Sequence, residues 1–170
     1  MSSGTRLRDK LCRELVQSER AARMHTVREA RRLGEIPPAA ALIAIAGHAN
    51  RLEPELAAVI GSRPAIGRRI GHAVGAMWSG MRYLLVDRLI ASERAYRATL
   101  LELRYGIDVA RLLQRVATLR GEMEIAWCCE SLVIERSCLL DEAEIALAWF
   151  AEHPKYALAA SRRIAAASAT

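Results

Sequence analysis

The 170 residues carry 25 Lys plus Arg against 19 Asp plus Glu, a formal charge of +6, and 52% are hydrophobic while only 5% are aromatic. A chain of this length builds one domain with its own core, and apolar volume drawn from Ala, Leu, Ile and Val with a single Phe favours helices over a many-stranded sheet. The longest charge-free run, Ile36 to Asn50, has 15 residues and two prolines near its start, too short for a bilayer span of about 20, and the basic balance permits an anionic partner without requiring one.

Residues 1–4 are expected to be disordered. A charged helix follows from about Thr5 to Leu33, with Leu7, Leu11 and Leu15 on one face; it holds nine of the 25 basic residues and four acids. Its short apolar stripe fits either a mobile arm or a docked layer. Gly34 supplies a stop and Pro37-Pro38 a rigid entry to the next helix.

The second helix, about 38–60, places Leu42, Ile45, Ala49, Leu52, Leu56 and Val59 at three- and four-residue steps, the period of one buried face. Pro54 removes a backbone donor and crowds the preceding turn, so a kink or a restart is expected near Glu53.

The stretch from Pro64 to Tyr105 reads as one long helix, roughly 60 Å at 1.5 Å per residue. Its first half carries a smooth stripe of Gly67, Gly71, Gly75 and Ser79. Each interior glycine costs a helix about 1 kcal/mol relative to alanine, so the spacing points to a second helix packed closely on that face. Its second half brings Asp87, Glu93 and Arg97 toward the apolar ridge that holds Tyr96, with Glu93 and Arg97 at ion-pair spacing. Gly106 reads as a stop, with Asp108 capping a short helix over 109–120 that Gly121 ends.

The last major helix, about 122–152, shows Ile125, Cys128, Cys129, Leu132, Leu139, Ala143, Ala146 and Phe150 on one face. Trp127, Ile134, Cys138, Ile145 and Trp149 widen it, which implies neighbours on more than one side. Arg136 interrupts this face, and with Asp87, Glu93 and Arg97 it forms a candidate polar network. Pro154 ends the helix. The domains so read are a basic helix or arm at 1–36, a bundle at 37–153 and an Ala-rich tail at 154–170. Together they make an all-α, antiparallel helical bundle built around the 64–105 helix.

The four cysteines, Cys12, Cys128, Cys129 and Cys138, form no CxxC, so the expected setting is a reducing, bacterial cytoplasm with thiols acting as small core hydrophobes. His48 and His72 lie on helices expected to be neighbours and read as packing residues. His25 lacks a ligand partner at metal spacing, and His153 sits at a helix end. Catalytic triads and phosphate-binding glycine loops are missing.

In helix order and length, residues 38–152 resemble the ferritin-like bundles, and Glu53, Glu93 and Glu130 lie on or beside apolar faces. The resemblance implies an up-and-down fold and, as an alternative function, a divergent carboxylate site for iron or manganese made by those three residues. The Glu-x-x-His motif of such sites is absent, since none of the four histidines has a Glu three residues before it. A second alternative is a nucleic-acid accessory protein using Arg6, Arg8, Lys10, Arg13, Arg20, Arg23, Arg28, Arg31 and Arg32 on phosphates. Interspersed acids and missing aromatics weigh against it. The expected function is that of a non-enzymatic interaction or structural protein, self-associating or bound to a helical partner, without a membrane span, a catalytic residue or an obligatory cofactor.

Overall fold

A computed structural model describes residues 3–60 and 91–159 of the chain. They form helices α1 (Ser3–Leu33), α2 (Pro37–Ile60), α3 (Ser92–Leu119), α4 (Met123–Glu152) and the short α5 (Pro154–Leu158), with no strand among the described residues. The protein is an all-α helical bundle. No described helix is long and apolar enough to cross a membrane.

Four long helices surround two apolar clusters. One gathers Ala30, Leu33, Leu42, Ile45, Tyr96, Leu103, Leu140 and Phe150; the other gathers Leu11, Leu15, Leu52, Leu56, Leu113, Ile125, Cys129 and Leu132. Read along the chain, α1 passes from the second cluster to the first, α2 and α3 from the first to the second, and α4 from the second back to the first. Helix α1 packs on α2 and α3, and α4 packs on the same two. Each long helix and its two packed neighbours therefore cross the core in opposite senses, and α1 and α4 stand at diagonal corners. Ile60 packs at the second cluster and Ser92 lies by the first, so these ends of α2 and α3 are at opposite ends of the bundle.

The hairpin turns are made by glycine. Gly34 and Gly121 adopt φ of 77° and 72°, the left-handed conformation that closes a helix and that residues with a Cβ avoid. The Gly34 N–H donates to the Ala30 carbonyl at 3.0 Å, and the Glu122 N–H donates to Ala117 at 2.9 Å. Both stops agree with the sequence reading.

Other expectations are corrected. Helix α1 begins at Ser3, within the segment expected to be disordered; of the two arrangements the sequence leaves open for it, it takes the docked one, with Leu11, Leu15, Ala30 and Leu33 in the core and Arg8 Nε donating to Glu122 at 2.8 Å, tying its start to the α3–α4 turn. Helix α2 runs through Pro54 without the expected restart. Both Pro54 and Asn50 are exposed, so the carbonyl that loses its donor faces water rather than the core.

The expected 64–105 helix is broken at Ala91, whose φ of −55° and ψ of 140° are extended. A new helix starts at Ser92, whose N–H and hydroxyl both donate to the Ala159 carbonyl, at 3.0 and 2.6 Å. The chain after α4 supplies the acceptor: Pro154 opens α5, Trp149 stacks on His153 with centroids 4.1 Å apart, and Ala157 is buried. The small stripe of Gly67, Gly71, Gly75 and Ser79, together with His72 and Asp87, lies outside the described residues.

Gly106 is no stop. It sits inside α3, buried, where a Cβ would fall on the Ser18 hydroxyl of α1 while lying 3.6 Å from the Ser18 Cβ. The expected helix break is absent because this glycine permits close approach of α1, and Asp108 lies within the helix beside Arg111. Gly106→Ala gains about 1 kcal/mol of helix propensity but must displace the Ser18 hydroxyl. Chemical denaturation should therefore show Gly106→Ala to be stabilising by about 0.5–1 kcal/mol on a Ser18→Ala background and less favourable, or destabilising, when Ser18 is present.

Candidate functional site: a charged layer across the bundle

Between the two apolar clusters each long helix contributes one distinctive residue. Helix α1 gives Glu19, α2 gives His48, α3 gives Gly106 and α4 gives Arg136. Arg136 is 1% exposed and Glu19 5%. A guanidinium so placed needs a counter-charge and acceptors for its fork of donors. Glu19 receives two of them, Nη2 to Oε2 at 2.6 Å and Nη1 to Oε1 at 3.3 Å. The His48 Nδ1 lies 3.1 Å from Nε and 2.9 Å from Nη2.

Arg136 has only protons to offer, so Nδ1 of His48 acts as acceptor and the ring proton belongs on Nε2. Burial, and then the neighbouring Arg136 charge, hold the His48 pKa down to about 4, overriding the opposite pull of Glu135. The ring is thus neutral at pH 7, which is the form this geometry requires. Glu135 Oε2 lies 3.3 Å from Nε2, yet Nε2 is buried without a well-directed hydrogen bond. The half-exposed Glu135 is the outer end of a line that runs Glu19, Arg136, His48, Glu135 from the bundle interior toward solvent.

This constellation differs from the expected polar network. Glu93 and Arg97 do pair with each other, at 2.6 and 3.1 Å, but on the surface of α3. Arg136 directs its donors to Glu19 and His48 instead. Tyr96 is fully buried and donates to the Ala143 carbonyl at 2.9 Å, and burial pushes its phenol well above the usual range. The interruption of an apolar face by Arg136 was visible in the sequence. Glu19 was missed because it lies in a helix crowded with charge; its only signal was its place four residues after Leu15 on the line of Leu11 and Leu15.

The alternative carboxylate set is also dispersed. Glu53 pairs with Arg23 on the surface, Glu93 is taken by Arg97, and Glu130 is exposed on α4. No group of three His, Cys, Asp or Glu among the described residues is placed to hold a metal. Burial raises the pKa of Cys12 and Cys128 and pushes that of Cys129 up to about 12, which keeps these three as thiols, while Cys138 is exposed. His25 Nδ1 lies 2.8 Å from Glu102, beside a groove of about 500 Å³ between α1 and α3, but none of Glu19, His48 and Arg136 lines that groove.

No family model, curated protein or solved structure matches this chain. The charged layer itself offers a locked ion pair and a neutral imidazole but no nucleophile with an adjacent base.

Two outcomes follow for stability. Arg136→Met strands the Glu19 carboxylate and should cost about 3–5 kcal/mol in urea denaturation, whereas converting Glu19, His48 and Arg136 together to Leu, Leu and Met should restore most of that loss. The pH effect has a definite sign. The folded-state pKa of His48, about 4, lies below the ordinary 6.5, so the unfolded chain binds the proton more readily between those values. The contribution of neutral His48 is complete above pH 6.5 and is lost as pH falls toward 4, by on the order of 3 kcal/mol in total. In His48→Gln, whose amide oxygen can still accept from Arg136, this component of the acid dependence should disappear from the urea midpoints.

Proposed function

We propose that the protein is a non-enzymatic helical-bundle protein that works by helix-to-helix association with further copies of itself. The observation that carries this reading is the outer face of α4. Trp127, Ile134 and Ile145 are 62, 60 and 76% exposed, although the opposite face of the same helix is filled by Ile125, Cys129, Leu132, Leu140 and Phe150. Large apolar side chains recurring along an exposed helix face, as they also do at Leu101, Tyr105, Leu112 and Leu119 of α3, favour its use in association. The breadth of the apolar stripe on this helix thus has a second use besides the core.

The course of the chain supports a ferritin-like arrangement for the bundle. Two hairpins, α1–α2 and α3–α4, are joined between opposite ends of the molecule, the pattern of bundles with one long crossover. In this reading the centre that metal-binding relatives of that architecture fill with carboxylates is held by a built-in cation, the Arg136 guanidinium. A structural role for the charged layer is favoured by its bonding, which leaves Glu19 and Arg136 engaged with each other.

Light scattering over a wide concentration range should give a mass that rises above the 18.8 kDa of one chain. Ile134→Lys should shift the association to at least about tenfold higher concentration while leaving thermal unfolding nearly unchanged, because the residue is exposed. A constant single-chain mass at all concentrations would sink the reading.

A further inference from the structure

The surfaces of the two diagonal helices carry opposite charge. On α4 the only basic residue is Arg136, and it is buried, so the exposed part of this helix is purely acidic. Within its apolar outer face stand Glu130 and Asp141, both exposed and neither in an ion pair among the described residues. At 100° per residue, Trp127, Glu130, Ile134, Asp141 and Ile145 fall within an arc of about 60°.

Helix α1 presents the complement. Arg6, Arg13, Arg20 and Arg31 are exposed, make no ion pair among the described residues, and share an arc of about 40° with Met24, which is 53% exposed. The stripe is about 38 Å long from Arg6 to Arg31, against about 27 Å from Trp127 to Ile145. Arg20 and Arg31 are eleven residues apart, as are Glu130 and Asp141. Two charge pairs can therefore form together at a spacing of about 16 Å. Arginine stems cover apolar surface and their guanidinium planes lie well on an indole, which suits them to Trp127.

From this complementarity we infer that the outer face of α1 in one copy docks on the outer face of α4 in a second copy. The inference rests on the self-association proposed above and names its two surfaces. An α4 to α4 contact would oppose like charges and is disfavoured. Because α1 and α4 occupy diagonal corners, the two faces of one copy point away from each other. The contact is then heterologous, leaving each added copy with one free α1 face and one free α4 face, so that assemblies grow into rings or open chains rather than stopping as symmetric dimers.

Charge exchange tests it. The variants Arg20→Glu/Arg31→Glu and Glu130→Arg/Asp141→Arg alter exposed residues only, and circular dichroism with thermal melting checks that each is folded. Each variant alone should need at least about tenfold more protein to assemble than the wild type, and equimolar mixing should restore assembly, since each then supplies the charge the other lacks. Raising salt from about 0.05 to 0.5 M should weaken the wild-type and mixed assemblies alike. Wild-type-like assembly of both variants would overturn this interface while leaving self-association standing; a wild type that stays single at every concentration would overturn both. If Arg20→Glu/Arg31→Glu instead assembled normally but lost salt-sensitive binding to a single-stranded or duplex oligonucleotide, the α1 face would belong to nucleic acid and the inference would fall.

Discussion

A guanidinium enclosed by hydrocarbon has to be met by a carboxylate and by acceptors for its remaining protons, and the rest of this bundle is arranged around meeting that need for Arg136. The counter-charge comes from α1 and the extra acceptor from α2, so one side chain of α4 fixes the axial position of two other helices. A slip of one helical turn, about 5.4 Å, would bury Glu19 and Arg136 apart from each other, which the interior does not tolerate. Apolar packing alone is far less exacting, because alanine- and leucine-rich faces can re-engage after such a shift. The layer thus contributes uniqueness of register more than net stability, and α3 joins it by subtraction, with Gly106 allowing α1 to come close where Ser18 stands.

The same two helices that share the central ion pair differ most on their outer sides. Helix α1 puts Arg6, Arg13, Arg20 and Arg31 toward solvent and α4 puts acids among large apolar groups. Each helix therefore presents two unrelated faces, and neither constrains the other, since residues half a turn apart do not touch. This separation explains why the composition of α1 left a mobile arm and a docked layer equally open while its leucines belong to the core. Net charge per helix reports the solvent side; burial is decided by the few positions that recur at helical spacing.

Much of the fold could be read from the chain. The period of Leu42, Ile45, Ala49, Leu52 and Leu56 marked α2, and Gly34 and Gly121 marked the ends of α1 and α3, because left-handed turns favour glycine. Gly106 was misread by the same rule, since a glycine used for close approach looks locally like one used for a stop. Ala91 could not be found by propensity either: alanine is a strong helix former, and the Ser92 donors beside it are taken by the distant Ala159 carbonyl. At the site, Arg136 was conspicuous as a charge on an apolar face. Its partner Glu19 was hidden, because a glutamate among arginines ordinarily lies in water and only the tertiary structure turns this one inward.

The two glycine turns carry a consequence for how the molecule is put together. Each closes a hairpin from sequence neighbours, so α1–α2 and α3–α4 can form early at small cost in loop entropy, whereas Glu19 and Arg136 are 117 residues apart and meet only when the hairpins dock. Docking in the wrong alignment would trap charge in the seam and reverse. A hairpin from another copy offers the same Glu19 and Arg136, so the pair specifies the alignment of two docked hairpins without specifying that both belong to one chain.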